Sequence, residues 1–270
     1  DLQVANGSSL NITGANAYTI RMITGAVAVI DGGMSFTGGA HKITAADAAG
    51  VNFGNGAVFT AGAGFSSNPF GTGGTANSVV FATGSTYIQQ AGSNPFVLGQ
   101  PASLVVFNTG SLFKMEANLT PSVSGRTYAD FELDFPTAAI SATGTALLTM
   151  DNLTVINGTI SFGLTTAGFD LKGNISVAAG ATLNFAPVGA GSVRFSGTGP
   201  QAISNLGTLG FSSTQNVVIL NSAGVTLNNP VTIQGILTLT SGLLNTTAVN
   251  LLTMSAGSSV AGSSNASFIN

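Results

Sequence analysis

Three carboxylates stand at alternate positions near the middle of the chain: Asp130, Glu132 and Asp134. Apolar residues occupy the positions between and after them, namely Phe131, Leu133 and Phe135. This alternation predicts a β-strand with one acidic face and one apolar face, the apolar face pointing to the core. The acidic row could bind Ca²⁺ through oxygen ligands, or supply the acid pair of a glycosidase. The plainer interpretation, which we favour, is a solvated strand face that carries some of the few charges in the chain.

Basic partners for these acids are scarce. Arg126 is the nearest base in sequence, and it shares the acids' parity with Tyr128. Lys114 and Glu116 would lie one coil away. A groove that cleaves acidic polysaccharides needs several Lys, Arg and Asp residues facing one cleft, whereas the six Lys and Arg of this chain are scattered. We therefore predict no catalytic residue, no metal and no cofactor, and we keep a carbohydrate-active β-helix enzyme as the alternative function.

His41 is the only histidine of the chain. A single chain therefore cannot build a pair of histidine metal ligands, and a Ser–His–Asp triad would need this one residue. We expect His41 to be a solvated loop residue beside Lys42.

A 26-residue repeat organises the region around residues 67–116. Ser67–Phe70 (Ser-Asn-Pro-Phe) returns as Ser93–Phe96, and Val80–Ser85 returns as Val106–Ser111, both at the same offset. Each copy has an Asn-Pro turn, a strand, a Thr-Gly-Ser corner and a second strand. A unit this short cannot bury its own apolar face, so it must stack on its neighbours.

Six aromatic residues recur with this repeat, and they are Phe70, Phe81, Tyr87, Phe96, Phe107 and Phe113. They could form a surface stripe on which sugars stack. We favour an interior column that stacks between coils. If the repeat is one coil, Phe70 lies over Phe96, Phe81 over Phe107 and Tyr87 over Phe113.

The rest of the chain follows the same plan. Residues 1–66 read as irregular Gly- and Ala-rich coils, 67–135 as aromatic repeats and 136–270 as regular coils, together one β-solenoid domain. From Val225 apolar residues recur every six positions, at Val231, Leu237, Leu243 and Val249. Three apolar pairs per coil indicate three sheet faces. We predict an all-β parallel β-helix with about ten to thirteen coils. A right-handed winding is the expected default because parallel crossover connections are overwhelmingly right-handed, although six-residue spacing alone is also found in left-handed β-helices. The best helical candidate, residues 44–49, is about one turn long.

The composition excludes several classes of protein. Hydrophobic residues make up 44% of the chain and charged residues only 6%, against about 25% in ordinary domains. The regular apolar spacing argues against disorder, and the net charge of −3 argues against nucleic acid as a partner. No apolar run approaches the length of a membrane span. Cysteine is absent, which removes disulfides and thiolate chemistry.

Several longer stretches of the sequence carry a further signal, and they are Gly197–Ile203, Gly224–Gly242, Asn265–Phe268, Gly84–Gln90 and Ser124–Phe131. These stretches resemble repeats of large secreted surface proteins of the Bacteroidota. Those proteins are exported by the type IX secretion system. The resemblance implies an extracellular, cell-surface β-solenoid segment of a long adhesin-like or filament-forming protein, and it implies no catalytic residue.

The C-terminal residues 250–270 keep the apolar rhythm, and no charged residue follows Arg194. A polar capping repeat is what a solenoid end normally needs. We therefore expect further coils of the same chain, or the first coil of a second copy, to follow, with Leu2 and Val4 as acceptors. The expected partners are thus further repeats, a second copy and surface glycans.

Overall fold

The computed structural model describes residues 1–186 and 191–270. The chain is all-β, with parallel strands stacked in about 11 turns, which confirms the predicted β-solenoid and its number of coils. The coils fall into two compact units. The first comprises residues 1–122 and 127–130, and the second comprises residues 123–126 and 131–270.

The first unit contains twelve short strands that pair in three sheets. Neighbouring strands in these sheets pair in parallel. The sheets have the orders β1-β4-β7-β9-β11, β2-β5-β8-β10-β12 and β3-β6. The strands are β1 Leu2–Val4, β2 Ser9–Ile12, β3 Thr19–Met22, β4 Ala28–Ile30, β5 Gly33–Phe36, β6 Lys42–Ala45, β7 Val51–Phe53, β8 Val58–Ala61, β9 Val79–Phe81, β10 Thr86–Gln89, β11 Val105–Phe107 and β12 Leu112–Met115.

The 26-residue repeat is one coil of this unit. β9 pairs with β11 so that Phe81 faces Phe107, and β10 pairs with β12 so that Tyr87 faces Phe113, as the repeat predicts. The corner between the two strands is built by Gly84, whose φ of 81° is the left-handed conformation that glycine adopts without strain. Gly110 is the equivalent residue of the next coil. Gly84 N–H donates to its carbonyl oxygen at 2.8 Å, so the two corners stack on each other.

The Asn-Pro turns of the repeat also stack. Asn68 Oδ1 accepts a hydrogen bond from Phe70 N–H, and Asn94 Oδ1 accepts one from Phe96 N–H, so each asparagine closes its own turn. The Asn68 side-chain amide also donates to the Asn94 carbonyl oxygen at 2.6 Å. These asparagines therefore hold the turn and join two coils.

The helical candidate at residues 44–49 was wrong. Thr44 and Ala45 belong to β6, and residues 46–49 form a bend and a turn. Ala49 there has a φ of 51°. The run is too short to nucleate a helix, and pairing of β6 with β3 gives its backbone a better use.

The second unit continues the same architecture. Its sheets have the orders β13-β15-β17-β20-β23-β26, β14-β16-β19-β22-β25-β28 and β24-β27, and β18 pairs with β15 and β21. The strands are β13 Asp130–Gly144, β14 Leu148–Met150, β15 Leu153–Leu164, β16 Phe169–Leu171, β17 Ile175–Val177, β18 Thr182–Phe185, β19 Ser192–Phe195, β20 Gln201–Asn205, β21 Thr208–Phe211, β22 Asn216–Leu220, β23 Val225–Leu227, β24 Val231–Ile233, β25 Ile236–Ser241, β26 Leu244–Asn245, β27 Leu252–Met254 and β28 Ser259–Ala261.

An irregularity interrupts the pairing of β13 with β15. The register shifts between Leu133 and Asp134 and again between Asp134 and Ala139. Phe131 and Leu133 are buried as predicted, but Phe135 is only half-buried. The prediction that Phe135 shares their apolar face was therefore wrong, because the bulge changes the parity of the strand behind Leu133.

The six-residue rhythm holds only as far as β25. Val225, Val231 and Leu237 are buried, whereas Val249 is 75% exposed. Leu244 rather than Leu243 enters the core. Gly242 lies between them and β25 with a φ of 78°, and this corner shifts the inward position by one residue.

Candidate functional site

The three carboxylates do alternate with inward-facing residues, but they are half-buried rather than fully exposed. Glu132 faces Thr154 on the next coil. Asp134 lies at the bulge, where its Oδ1 accepts a hydrogen bond from the Asn157 side-chain amide at 2.8 Å. Asp130 begins β13, and its backbone N–H donates to the Ser111 carbonyl oxygen at 2.9 Å.

The described part of the chain brings together no group of three or more His, Asp or Glu side chains that could hold a metal ion. Acids at alternate positions of one strand are about 6–7 Å apart, too far to share one small cation unless another element closes around it. The carboxylate row is thus a set of separate side chains, two of them facing hydroxyl or amide residues of the next coil.

Arg126 and Tyr128 do not continue this acidic face. Both are buried, because the chain makes a turn at Ser124 and Gly125 and the strand begins only at Asp130. The Tyr128 hydroxyl donates to the Ser122 carbonyl oxygen at 2.7 Å. The prediction from strand parity was therefore wrong for these two residues.

His41 is fully buried, which overturns the expectation of a solvated loop residue. Its Nδ1 accepts a hydrogen bond from Tyr18 N–H at 3.3 Å, and its Nε2 lies 3.0 Å from the Thr37 carbonyl oxygen. This pattern fits the neutral ring with the proton on Nε2. The ring also stacks on Tyr18, with centroids 5.7 Å apart. Both nitrogens are therefore engaged by backbone groups, and neither faces a reactive carboxylate or hydroxyl.

The six aromatic residues of the repeat are all buried: Phe70, Phe81, Tyr87, Phe96, Phe107 and Phe113. Phe81 stacks on Phe107 with ring centroids 4.8 Å apart. Phe70 packs against Phe59 at 5.3 Å, and Phe96 packs against Tyr128 at 4.8 Å. The rings line the interior, so their faces are closed to a sugar.

Tyr87 is the polar member of this interior. Its hydroxyl is buried and, among the described residues, has no hydrogen-bond partner. Burial raises the pKa of Tyr87 far above its usual range, and the nearby Tyr128 phenol adds to the shift. A buried tyrosine could be a proton donor in an active site, but this hydroxyl has no acceptor in the part of the chain that the structure describes.

A buried polar cluster that the sequence analysis missed surrounds Gln201. Its Nε2 donates to the carbonyl oxygens of Leu171 and Gly173, at 3.1 and 2.5 Å. Its Oε1 accepts from Gly197 N–H and from the Asn221 side-chain amide, at 3.0 and 2.8 Å. The sequence feature that could have indicated this cluster is a glutamine directly after the Gly-Thr-Gly-Pro corner. The cluster satisfies backbone groups of several coils, which is a structural role.

Two ion pairs use part of the small charge complement. Arg194 Nε lies 2.6 Å from Asp170 Oδ1 on the adjacent strand, and Lys114 Nζ lies 3.0 Å from Oε1 of Glu116, the residue that directly follows β12. Gln90 also donates to Glu116 at 3.0 Å. These charges hold neighbouring coils or strand positions and do not converge on a cleft.

No helix in the described residues is long and apolar enough to cross a membrane. Comparison of the chain with protein-family models, with curated proteins and with solved structures finds no match. The function must therefore be argued from the geometry of the chain itself.

Proposed function

We propose that this chain is a structural and adhesive β-solenoid that acts outside the cell, as a surface adhesin repeat, a stalk or a filament subunit. The observation that carries the proposal is the use made of the residues that could do chemistry. His41 is bonded to backbone groups, the aromatic column is interior, and Gln201 joins coils. These polar and aromatic residues thus stabilise the stacking of coils.

The pairing of strands supports a stiff element within each unit. Backbone hydrogen bonds connect each coil to the next. For example, Val79 N–H donates to the Leu104 carbonyl oxygen, and Val193 on β19 pairs in register with Val217 on β22. Parallel ladders resist bending because two long sheets in each unit join successive coils. Such a body suits a spacer that carries load and displays repeated surface positions.

The surface supports an adhesive role that does not rely on charge. With 6% charged residues, the outward strand positions are mostly Ser, Thr and Asn. These groups make many weak hydrogen bonds, and repetition along an array multiplies weak contacts into useful avidity. The resemblance to type IX-secreted surface proteins supports an extracellular location, with surface glycans, further repeats or a second copy as partners.

The first test distinguishes a carbohydrate-active enzyme from a structural and adhesive protein. The purified 270-residue chain is incubated with a panel of neutral and acidic polysaccharides, and new reducing ends and unsaturated products are measured. We expect no turnover. Turnover that is lost in Asp130→Asn, Glu132→Gln or Asp134→Asn, but kept in the matched surface variant Asp151→Asn, would establish the carbohydrate-active enzyme instead.

The second arm asks where the protein acts. Antibodies against the folded chain are used for immunogold electron microscopy of intact cells that produce it. Label along fibres or at the outer surface is the expected result. Label that requires permeabilised cells would contradict the extracellular role.

A further inference from the structure

A shallow groove crosses the outer face of the second unit over four successive coils. Its ladder consists of Ser161 on β15, Asn184 on β18 and Gly210 on β21, which pair in register, and Gln234 follows β24. Ser212 lines one side. The groove has a volume of about 210 Å³ and opens to solvent.

Gly210 creates the groove by lacking a side chain. Its backbone does not adopt the left-handed conformation, so the fold does not require glycine here. A Cβ at this position would lie 2.6 Å from Asn184 Oδ1, the end of a flexible side chain. The side-chain amide of Asn184 therefore extends over the space that a side chain at position 210 would fill.

The groove presents neutral groups that both donate and accept hydrogen bonds. Asn184 Nδ2 donates to Ser161 Oγ at 3.3 Å, which orients Asn184 Oδ1 towards Gly210. Ser212 Oγ lies 3.2 Å from Thr214 Oγ1, and Gln234 is exposed. No charged side chain lines the groove in the described residues.

The wall behind the groove is rigid. Phe185 and Phe211 are buried directly beside the ladder, and their rings stack with centroids 5.2 Å apart and planes 11° from parallel. β18 and β21 pair over four residues. Ser161 and Asn184 are thus held on paired strands before a ligand arrives, and Ser212 directly follows one, which lowers the entropic cost of binding.

We propose that this groove binds one sugar unit of a neutral glycan. Sugar hydroxyls both donate and accept, and Asn, Gln and Ser side chains match that chemistry. The volume is below the ~300–1,000 Å³ of drug-sized pockets and suits a single ring with its neighbours lying along the solvent-exposed face. The absence of charge at the groove disfavours uronate or sulfated sugars. This inference rests on the adhesive part of the proposed function and names its ligand class.

The test is a titration of the ¹⁵N-labelled 270-residue chain followed by amide chemical shifts. The probes are cellotetraose, mannotetraose and chitotetraose, with tetragalacturonate as the acidic comparison. At least one neutral probe should shift the amides of Asn184, Gly210, Ser212 and Gln234. Binding to a single open groove should be weak, with a Kd on the order of 1 mM, and tetragalacturonate should leave these amides unshifted.

Two variants and one control make the assignment specific. Gly210→Asn fills the groove, and Gln234→Ala removes an exposed amide, so each should weaken binding about tenfold or more. Ser176→Asn adds a similar side chain at an exposed position of the same sheet outside the groove and should bind as the unaltered chain does.

Shifts confined to other residues, or equal affinity in Gly210→Asn, would overturn the site. So would the lack of any shift with all neutral probes. In that outcome, surface labelling of intact cells would still stand as an independent result for the adhesive role, while absence of surface label would remove the proposed function itself.

Discussion

Tyr87 stacks on Phe113 across one coil, with ring centroids 5.0 Å apart and planes 11° from parallel. On its other side Tyr87 stacks on Phe59 at 5.4 Å. A single hydroxyl thus enters a column whose neighbours on both sides are phenylalanine. Because this hydroxyl is buried without a partner among the described residues, the tyrosine weakens the column that its ring helps to build.

Tyr87→Phe should therefore stabilise the protein. The substitution keeps the ring and removes a desolvated hydroxyl, and we expect a gain of about 1 kcal/mol in the free energy of unfolding. Chemical denaturation measures the effect. Phe113→Tyr, which places a hydroxyl at the equivalent position of the next coil, is the matched comparison and should not stabilise. Equal or lower stability of Tyr87→Phe would show that the hydroxyl has a partner.

Alkaline pH should widen the difference in the free energy of unfolding between Tyr87→Phe and the unaltered chain. In the unfolded chain Tyr87 ionises near pH 10, whereas burial raises its pKa in the fold. Above about pH 10 the unfolded state binds fewer protons than the folded state, so the free energy of unfolding falls as pH rises.

The maximal contribution of one such group is about 1.4 kcal/mol per pH unit. Tyr87→Phe lacks this contribution, so its lead over the unaltered chain should grow between pH 10 and 11.5. Parallel stability curves over that range would rule out a protonated buried Tyr87.

His41→Ala should destabilise the first unit by about 2–4 kcal/mol, because it opens a cavity and leaves Tyr18 N–H and the Thr37 carbonyl without their bonds. His41→Phe should recover only the packing part. Lys42→Ala, which changes the outward-facing first residue of β6 directly after His41, should change stability by less than about 0.5 kcal/mol. Thermal and urea unfolding measure all three variants, and an unaffected His41→Ala would contradict the structural role.

Gln201→Leu should cost about 2–4 kcal/mol, since it removes the hydrogen bonds that Gly197 N–H, the Gly173 carbonyl oxygen and the Asn221 side-chain amide make to the glutamine. The matched variant Gln3→Leu changes an outward-facing glutamine in the middle of β1 and should have little effect. Hydrogen exchange offers a local readout: faster exchange at Gly197 is expected in Gln201→Leu. If that amide were protected as strongly as in the unaltered chain, the structural role of Gln201 in the buried polar cluster would be refuted.

Local chemistry made much of the fold predictable from the sequence. The Thr-Gly-Ser corner around Gly84 needs a residue that tolerates positive φ, and the strands beside it alternate cleanly. An offset of 26 residues in such a pattern has one simple meaning, a coil, and Phe81 and Phe107 meet accordingly.

The failures arise where neighbouring coils decide the outcome. The bulge at Asp134 depends on pairing with β15, so the parity of Phe135 could not be read from β13 alone. His41 is buried because Tyr18, 23 residues earlier, covers its ring. The groove at Gly210 likewise exists only because Asn184 lies beside it in register, and one glycine among 37 carries no such signal.

The short step between paired strands has a consequence for how such a protein can grow. Val79 pairs with Val105, Thr182 with Thr208 and Val225 with Leu244, each one coil away. Backbone partners are therefore separated by the length of a single coil however long the protein is, so the loop-closure entropy changes little from one added coil to the next. A tandem duplication in the gene that copies a whole coil inserts a unit whose partners on both sides already fit. The similar stretches at residues 67–85 and 93–111 have the form that such a duplication leaves, and length can change by whole coils without redesigning the core.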